Sequence, residues 1–281
     1  MFESTKENEK MQSYQGRRTV VTGAASGMGE ATTALLRAAG AEVHAIDIAP
    51  IRADVMSASQ CDLSDPSQIE SAIADIGGPI DALFCCAGLA QTHPPLRVMA
   101  VNFLGTRHVV ESALPHMAEG SAVAVISSVA GFAWKEAWGL HKSLHATDSI
   151  DEGIAWCEAH AEAVGDGYSF SKQALTSWVF VQTPVLAQRG LRINTLCPGM
   201  TETPMMPDFE KTVGDQLAAL PCPIGRRSTA EEQAHALLFL NSVEAAYLTG
   251  AELFNDGGAT AAMNMGMAEA MAGAIQEDKH G

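Results

Sequence analysis

The sequence predicts an α/β protein built around a parallel sheet. Two observations carry this expectation: from Arg18 onward short β-rich runs alternate with segments of helical period, and a glycine-rich turn joins the first run to the first helical segment. The length of 281 residues leaves room for one large domain or two small ones. No period of about 20–50 residues recurs and no low-complexity linker splits the chain. A single domain is therefore expected over 17–281, behind a short mobile extension at 1–16 that is polar and lacks an apolar core.

The strands are expected at 19–22, 42–47, 80–86, 122–127, 192–196 and 251–254. Between the first two, Met28, Ala31, Leu35 and Ala38 recur at helical spacing; between the next two, Pro66 opens a helix carrying Ile69, Ile73 and Ile76. Both read as crossover helices with one buried stripe. The stretch 132–167 exceeds what the alternation needs and holds Trp134, Trp138 and Trp156, so an insertion ordered at least in part is expected. In the tail, Met263, Met265, Met267 and Met271 suit an adaptable apolar contact, with core packing the plain reading. Pro184 is expected to kink the helix that contains it.

Composition removes several classes of function. A net charge of −16 opposes binding to nucleic-acid phosphates or an anionic membrane. The six cysteines form no CxxC pair, and Cys85 and Cys86 sit in a buried-strand pattern, which points to reduced thiols. No run of about eighteen apolar residues is present. The expected location is the cytoplasm.

The first chemical signal is Thr22-Gly23-Ala24-Ala25-Ser26-Gly27-Met28-Gly29, directly after the first strand. Glycines there let backbone approach a pyrophosphate, and the helix that follows offers unpaired N–H groups and a positive dipole end. Gly23, Ser26, Gly27, Met28 and Gly29 are the candidate contacts. Asp47 ends the second strand, where a carboxylate can take the ribose hydroxyls of NAD and repel the 2′-phosphate of NADP, so NAD is the expected cofactor. Asp62 and Leu63 are candidates for the adenine edge, with a structural cap the equal alternative for Asp62.

The second signal is Tyr168-Ser169-Phe170-Ser171-Lys172. Four residues apart on a helix, the phenol and the ammonium share a face, and the lysine charge is expected to favour the phenolate. Upstream, Val125-Ile126-Ser127-Ser128-Val129-Ala130-Gly131 reads as a buried strand ending in two hydroxyls at the edge where open α/β sheets bind ligands.

With Pro198-Gly199-Met200-Thr201-Glu202-Thr203, these motifs resemble the short-chain dehydrogenase/reductase family over about Arg17 to Gly258. The resemblance implies a Rossmann fold, a doubly wound parallel sheet of about seven strands with helices on both faces. It implies Ser128, Tyr168 and Lys172 as catalytic residues, with Ser128 chosen over Ser127 by its distance from Gly131. Asn102 matches a fourth catalytic position that holds a water beside the lysine. Ala87 and Gly88 would face the cofactor, the backbone at Thr201 and the side chain of Thr203 would orient its carboxamide, Lys172 would bind the nicotinamide ribose, and Tyr168, Pro198 and Gly199 would be further cofactor contacts.

Two departures stand out. Cys85-Cys86-Ala87-Gly88 replaces the family's Asn-Asn-Ala-Gly, and the gap from Ser128 to Tyr168 is far longer than usual. Within the family these features look most like the bacterial 3α-hydroxysteroid dehydrogenase/carbonyl reductase group. The implied activity is NAD-dependent interconversion of an apolar secondary alcohol, whether steroid, terpenoid, alicyclic or aromatic, with its ketone. A carrier-protein ketoreductase and a non-catalytic NAD-sensing protein are the alternatives. Between Gly199 and Gly225 the walls are apolar and Lys211 is the sole base, which favours a neutral small molecule over a phosphate-bearing carrier. His141 and His145 give one metal-like spacing, but no third ligand follows, so no metal is expected. The insertion is expected to cover the pocket or the helix begun by Tyr168. A homo-oligomer, dimer or tetramer, would then associate through the sheet edge and the Met-rich tail.

Overall fold

The computed structural model describes residues 14–266. Its elements follow in the order β1 (Arg18–Thr22), α1 (Gly27–Ala38), β2 (Glu42–Asp47), β3 (Ser57–Gln60), α2 (Pro66–Ile76), β4 (Ala82–Cys85), α3 (Pro95–Met99), α4 (Thr106–Ala113) and β5 (Ala122–Ile126). Then come α5 (Trp138–His145), α6 (Ile150–Ala159), α7 (Ala161–Val164), α8 (Tyr168–Ala187), β6 (Arg192–Pro198) and β7 (Thr201–Glu202). The order closes with α9 (Met206–Ala219), β8 (Ser228–Thr229), α10 (Ala230–Asn241), β9 (Glu252–Asn255) and α11 (Ala259–Asn264).

Seven parallel strands form one sheet in the order β3-β2-β1-β4-β5-β6-β9. The chain first winds outward from β1 to β3 and then returns to continue from β4 to β9. That reversal, between β1 and β4, opens a crevice at the carboxyl ends of the strands where such sheets bind ligands. The central strands are buried on both faces: Ala82–Cys85 and Ala122–Ile126 carry no exposed residue. One apolar cluster, including Leu36 and Leu237, packs α1 and α10 on one face. A second, including Ile73, Phe103 and Trp178, packs α2, α4 and α8 on the other.

The α2 stripe is as the sequence suggests, with Ile69, Ile73 and Ile76 buried behind an Asp65 cap that accepts from Ser67 and Gln68 N–H groups. The α1 stripe requires a correction. Gly29, Thr32, Thr33 and Leu36 are its buried residues, one step round from the expected set, and Met28, Ala31 and Leu35 lie at its edge. Thr32 enters the core because its hydroxyl donates to the Met28 carbonyl, 2.7 Å away, within the helix. The boundary of the N-terminal extension also moves inward. Tyr14 is fully buried against Phe84, and its hydroxyl donates to the Leu238 carbonyl at 2.6 Å. β3 has no counterpart among the expected strands, and α8 continues past Pro184 to Ala187.

The 132–167 stretch contains α5, α6 and α7. Trp134 stacks on Phe180 of α8 at 5.2 Å, and Trp156 lies nearly parallel to Phe170 at 5.9 Å. His145 Nε2 contacts the Ala174 carbonyl at 3.0 Å, so the insertion lies along α8. Met263 lines a cavity and Met265 is exposed, whereas Met267 and Met271 fall outside the described residues.

Candidate active site

β1 delivers its glycine turn to the bottom of the crevice. Gly23 has a φ of +70°, and a Cβ there would lie 2.6 Å from the Ala87 nitrogen, so only glycine lets the turn pass this close to the end of β4. Gly29 is equally constrained, but by packing: its Cβ would fall on the Gly23 carbonyl. Gly29 is thus a structural residue of the turn, buried beneath the cleft it was expected to line.

The cleft has a volume of about 300 Å³ and is lined by Gly23, Ser26, Gly27 and Met28 on one side. Asp47, Asp62, Leu63, Ala87, Gly88 and Thr203, also expected at the cofactor, line it too. Asp47 is held by two backbone donors, Ala25 N–H at 2.9 Å and Ala49 N–H at 2.8 Å, one on each carboxylate oxygen. A carboxylate oxygen has two lone-pair sites, so each retains capacity for a hydroxyl. Asp62 accepts from Ser64 N–H and from Arg97 at 2.7 Å. Burial pushes its carboxyl up, but the bonds from Arg97 and Ser64 outweigh this and the net shift is downward. Asp62 therefore stands at the cleft tied to Ser64 and Arg97, and the cap considered for it is taken by Asp65. Arg97 carried no sequence signal: α3 brings it to the cleft from 35 residues away. The open backbone around Gly23, the uncapped first turn of α1 beside Ser26 and the oriented Asp47 fit a dinucleotide.

A second cavity, of about 350 Å³, adjoins the far end of β5 and the start of α8. Ser128 and Tyr168 both line it. The two serines divide as β-strand alternation requires. Ser127 is turned inward, donating to the Lys172 carbonyl at 3.1 Å and meeting the Thr176 hydroxyl at 2.7 Å. Ser128 faces the cavity, its Oγ accepting from Ala130 N–H at 3.1 Å.

Burial pushes the Tyr168 phenol up to about 12; a hydrogen bond with Ser128 pulls it down and Asp166 pushes it up. Burial thus outweighs the lowering expected from Lys172. The reason lies in the lysine itself, which is buried, is pushed down to about 8 by that burial, and donates to the Ile126 carbonyl at 2.9 Å. Asn102 occupies a π-helical stretch, Ala100–Gly105. Its Oδ1 accepts from Leu89 N–H at 2.7 Å while Nδ2 donates to the Leu89 carbonyl and to Ser171 Oγ. A Cβ on Gly88 would lie in ordinary contact with Asn102 Oδ1 at 3.5 Å and Lys172 Nζ at 3.7 Å, which places both polar groups directly behind Gly88.

Pro198 and Gly199 line the second cavity and Thr203 the first. Thr201 lines neither: its hydroxyl turns into the protein toward the Gly199 carbonyl and Ser228. Cys85 is buried; at this end of β4 the Cys86 N–H donates to the Thr22 carbonyl, and Asn241 Nδ2 donates to the Leu83 carbonyl. His141 and His145 stack at 6.4 Å beneath Trp138 and Phe170, as core of the insertion.

The model of the short chain dehydrogenase family matches residues 17–140, and one described as enoyl-(acyl carrier protein) reductase matches 153–260. Coniferyl-alcohol dehydrogenase of Pseudomonas sp. (strain HR199 / DSM 7063) is 32% identical, covering 86% of this chain and 96% of its own. The 3-alpha-hydroxysteroid dehydrogenase/carbonyl reductase of Comamonas testosteroni is 34% identical, covering 87% and 96%. Among solved structures, the 3-alpha-hydroxysteroid dehydrogenase from Pseudomonas sp. B-0831 complexed with NADH superposes with a TM-score of 0.76, at 31% identity, covering 88% of this chain and 98% of that one.

Proposed function

Since the chain belongs to the short-chain dehydrogenase/reductase family and is an oxidoreductase of that family, we propose that it interconverts an apolar secondary alcohol and its ketone with NAD as the cofactor. The observation that carries this reading is that Ser128 and Tyr168 share the wall of one cavity, with Lys172 and Asn102 behind Gly88 at the edge of the other. Gly23, Ser26, Gly27 and Met28 would cradle the pyrophosphate, Asp47 the adenosine ribose, and Asp62 with Leu63 the adenine edge. Thr203 would meet the carboxamide. When bound, the nicotinamide supplies the hydride acceptor in oxidation and the donor in reduction.

In the oxidative direction Ser128 Oγ hydrogen-bonds the substrate oxygen and aligns it with Tyr168. As a phenolate, the Tyr168 oxygen would take the proton of the substrate hydroxyl, whose O–H pair becomes the carbonyl π bond as the carbinol C–H pair leaves as hydride. Reduction reverses each step, with the Tyr168 phenol as acid. Lys172 keeps a positive charge one helical turn from the phenol and lowers the cost of the phenolate. Asn102 orders the water through which Lys172 exchanges protons with solvent. Asp47 gives the preference for NAD through its charge.

The substrate is read as neutral and apolar, a steroid, terpenoid, alicyclic or aromatic alcohol, because Met200, Met206, Phe209, Leu217 and Leu220 line the cavity. The arginines nearest this wall are engaged, Arg226 with Glu232 and Arg227 with Glu202 and Glu210, which leaves little for the phosphate of a carrier protein. A cytoplasmic homo-oligomer completes the reading; the six cysteines are all free, and no helix among the described residues is long and apolar enough to cross a membrane. The test is a panel of secondary alcohols, from small alicyclics to steroids, followed as NADH absorbance, with NADP in parallel. Binding of NAD without turnover of any alcohol would favour a sensing role instead.

A further inference from the structure

Among the described residues that line the cofactor cleft, Arg97 is the one basic side chain, and its donors are committed to a neighbour. Nη2 donates to Asp62 Oδ2 at 2.7 Å and Nη1 donates to Ser64 Oγ. Ser64 Oγ in turn donates to Asp62 Oδ1 at 2.9 Å, so guanidinium, hydroxyl and carboxylate close a ring of three hydrogen bonds. The ring stands open to the cleft and is not core: the side chains of Arg97 and Asp62 are 34% and 27% exposed.

Counting lone pairs shows what the ring leaves over. Asp62 Oδ1 accepts from the Ser64 N–H, at 2.9 Å, as well as from its hydroxyl, so both of its acceptor sites are filled. Oδ2 accepts from Arg97 and keeps one site. Burial pushes the carboxyl up, but the bonds from Arg97 and Ser64 reverse this; at neutral pH the group is ionised and can only accept. The backbone behind it is tied as well. The Cys61 N–H donates to the Asp47 carbonyl at 2.8 Å, and the Asp62 N–H to Gln68 Oε1 at 2.9 Å. A fixed loop therefore presents a single oriented acceptor, in a cleft whose lining also includes Ile48, Leu63 and Val101, apolar side chains suited to the faces of a planar base. Without Arg97 the carboxylate is held from the Ser64 side alone, and its terminal torsion is a soft one.

We infer that Arg97 is a positioning residue for the cofactor: it holds Asp62 so that the one remaining acceptor site takes an N–H of the adenine 6-amino group, and the cleft thereby selects a 6-aminopurine dinucleotide over its 6-oxo counterpart. This rests on the reading of the cleft as a dinucleotide site with Asp62 at the adenine edge. A 6-oxo purine sets a second acceptor against the carboxylate, and two acceptors cannot pair. A site built to hydrogen-bond one group discriminates strongly against the analogue that lacks it, because the polar group of the protein is then left unpaired. The fork of Arg97 suits this task, since its two Nη groups reach Asp62 and Ser64 together and fix the plane of the acceptor.

The experiment measures the dissociation constants of NADH and of reduced nicotinamide hypoxanthine dinucleotide, its 6-oxo analogue, by fluorescence titration of the full chain. Wild type, Arg97→Met, Arg97→Lys and Asp62→Ala are compared. The wild type is expected to bind NADH more tightly by roughly 10-fold or more. Arg97→Met should lose most of that ratio, chiefly by weakening NADH, and Asp62→Ala should lose at least as much. Arg97→Lys, with a single ammonium in place of the fork, should fall part of the way. A loosening of the fold would weaken both dinucleotides alike and leave the ratio standing, so a ratio equal to that of the wild type in either Arg97 variant overturns the assignment. A ratio that falls in Arg97→Met but stands in Asp62→Ala also overturns it, because Arg97 would then meet the base directly. A wild type that binds both dinucleotides without preferring NADH overturns the inference and leaves the dinucleotide reading intact. A wild type that binds neither overturns both.

Discussion

The ammonium of Lys172 lies 5.8 Å from the centroid of the Tyr168 ring, one turn along the same helix, and the two are shifted by burial in opposite directions. Desolvation keeps the phenol protonated, up to about 12, and weakens the lysine charge, down to about 8. Each shift disfavours a charged form, so a phenolate at neutral pH depends on added positive charge, which an oxidised nicotinamide carries. The expected outcome is a directional pH dependence. Ketone reduction, which needs the phenol proton, should fall as pH rises, and alcohol oxidation, which needs the base, should rise from pH 6 to about 9. Profiles of kcat/KM in both directions check this, and Lys172→Ala should lower oxidation by about 100-fold or more.

The two serines at the end of β5 separate stability from chemistry. Ser127→Ala removes bonds to the Lys172 carbonyl and Thr176 and should cost about 1–2 kcal/mol of stability. Ser128→Ala loses the bond from Ala130 N–H and the one with the Tyr168 hydroxyl, and should leave the melting temperature within a few degrees while lowering kcat/KM by about 100-fold. Calorimetry and turnover on both variants distinguish them; equal catalytic losses would contradict the division.

Asp47 is held by Ala25 and Ala49 N–H groups, so its charge is fixed at the cleft. Asp47→Ala should narrow the preference for NAD over NADP, chiefly by weakening NAD. Dissociation constants for both cofactors provide the check, and a wild type that binds NADP more tightly would show the acid to be misassigned.

His141 and His145 predict how the insertion responds to acid. Burial pushes both imidazoles down to about 4, whereas in the unfolded chain they titrate near 6.5. Between those values the unfolded state binds more protons than the folded one, so stability rises with pH across this window and is lost as pH falls from about 6.5 towards 4. Each histidine accounts for roughly 2–3 kcal/mol of that loss. Thermal melting across pH 4–7 should therefore slope less steeply in His141→Phe than in the wild type.

How much the sequence discloses depends on what each element is made of. The central strands are legible because they are unbroken apolar runs, and α2 because its proline, aspartate cap and isoleucines agree. β3 is not, since Ser57–Gln60 is an edge strand of small and polar residues that pairs only with β2. α1 is shifted because threonines serve as core residues there, which an apolar count cannot register. Within the site, the glycine turn, Asp47 and the Tyr168–Lys172 pair are marked by local spacing, whereas Ser128 is set apart from Ser127 by the family resemblance. Arg97 reaches the cofactor cleft from a short helix with no motif, so only tertiary placement reveals it.

The central claim is that the Tyr168 hydroxyl moves the proton. Tyr168→Phe keeps the ring against Phe209, 5.0 Å away, and removes only the oxygen. With a secondary alcohol that the wild type oxidises, NADH formation by this variant measured alongside NADH binding by fluorescence is the most direct test. The account predicts a fall in kcat of about 100- to 10,000-fold with cofactor affinity retained. Turnover close to that of the wild type would contradict it.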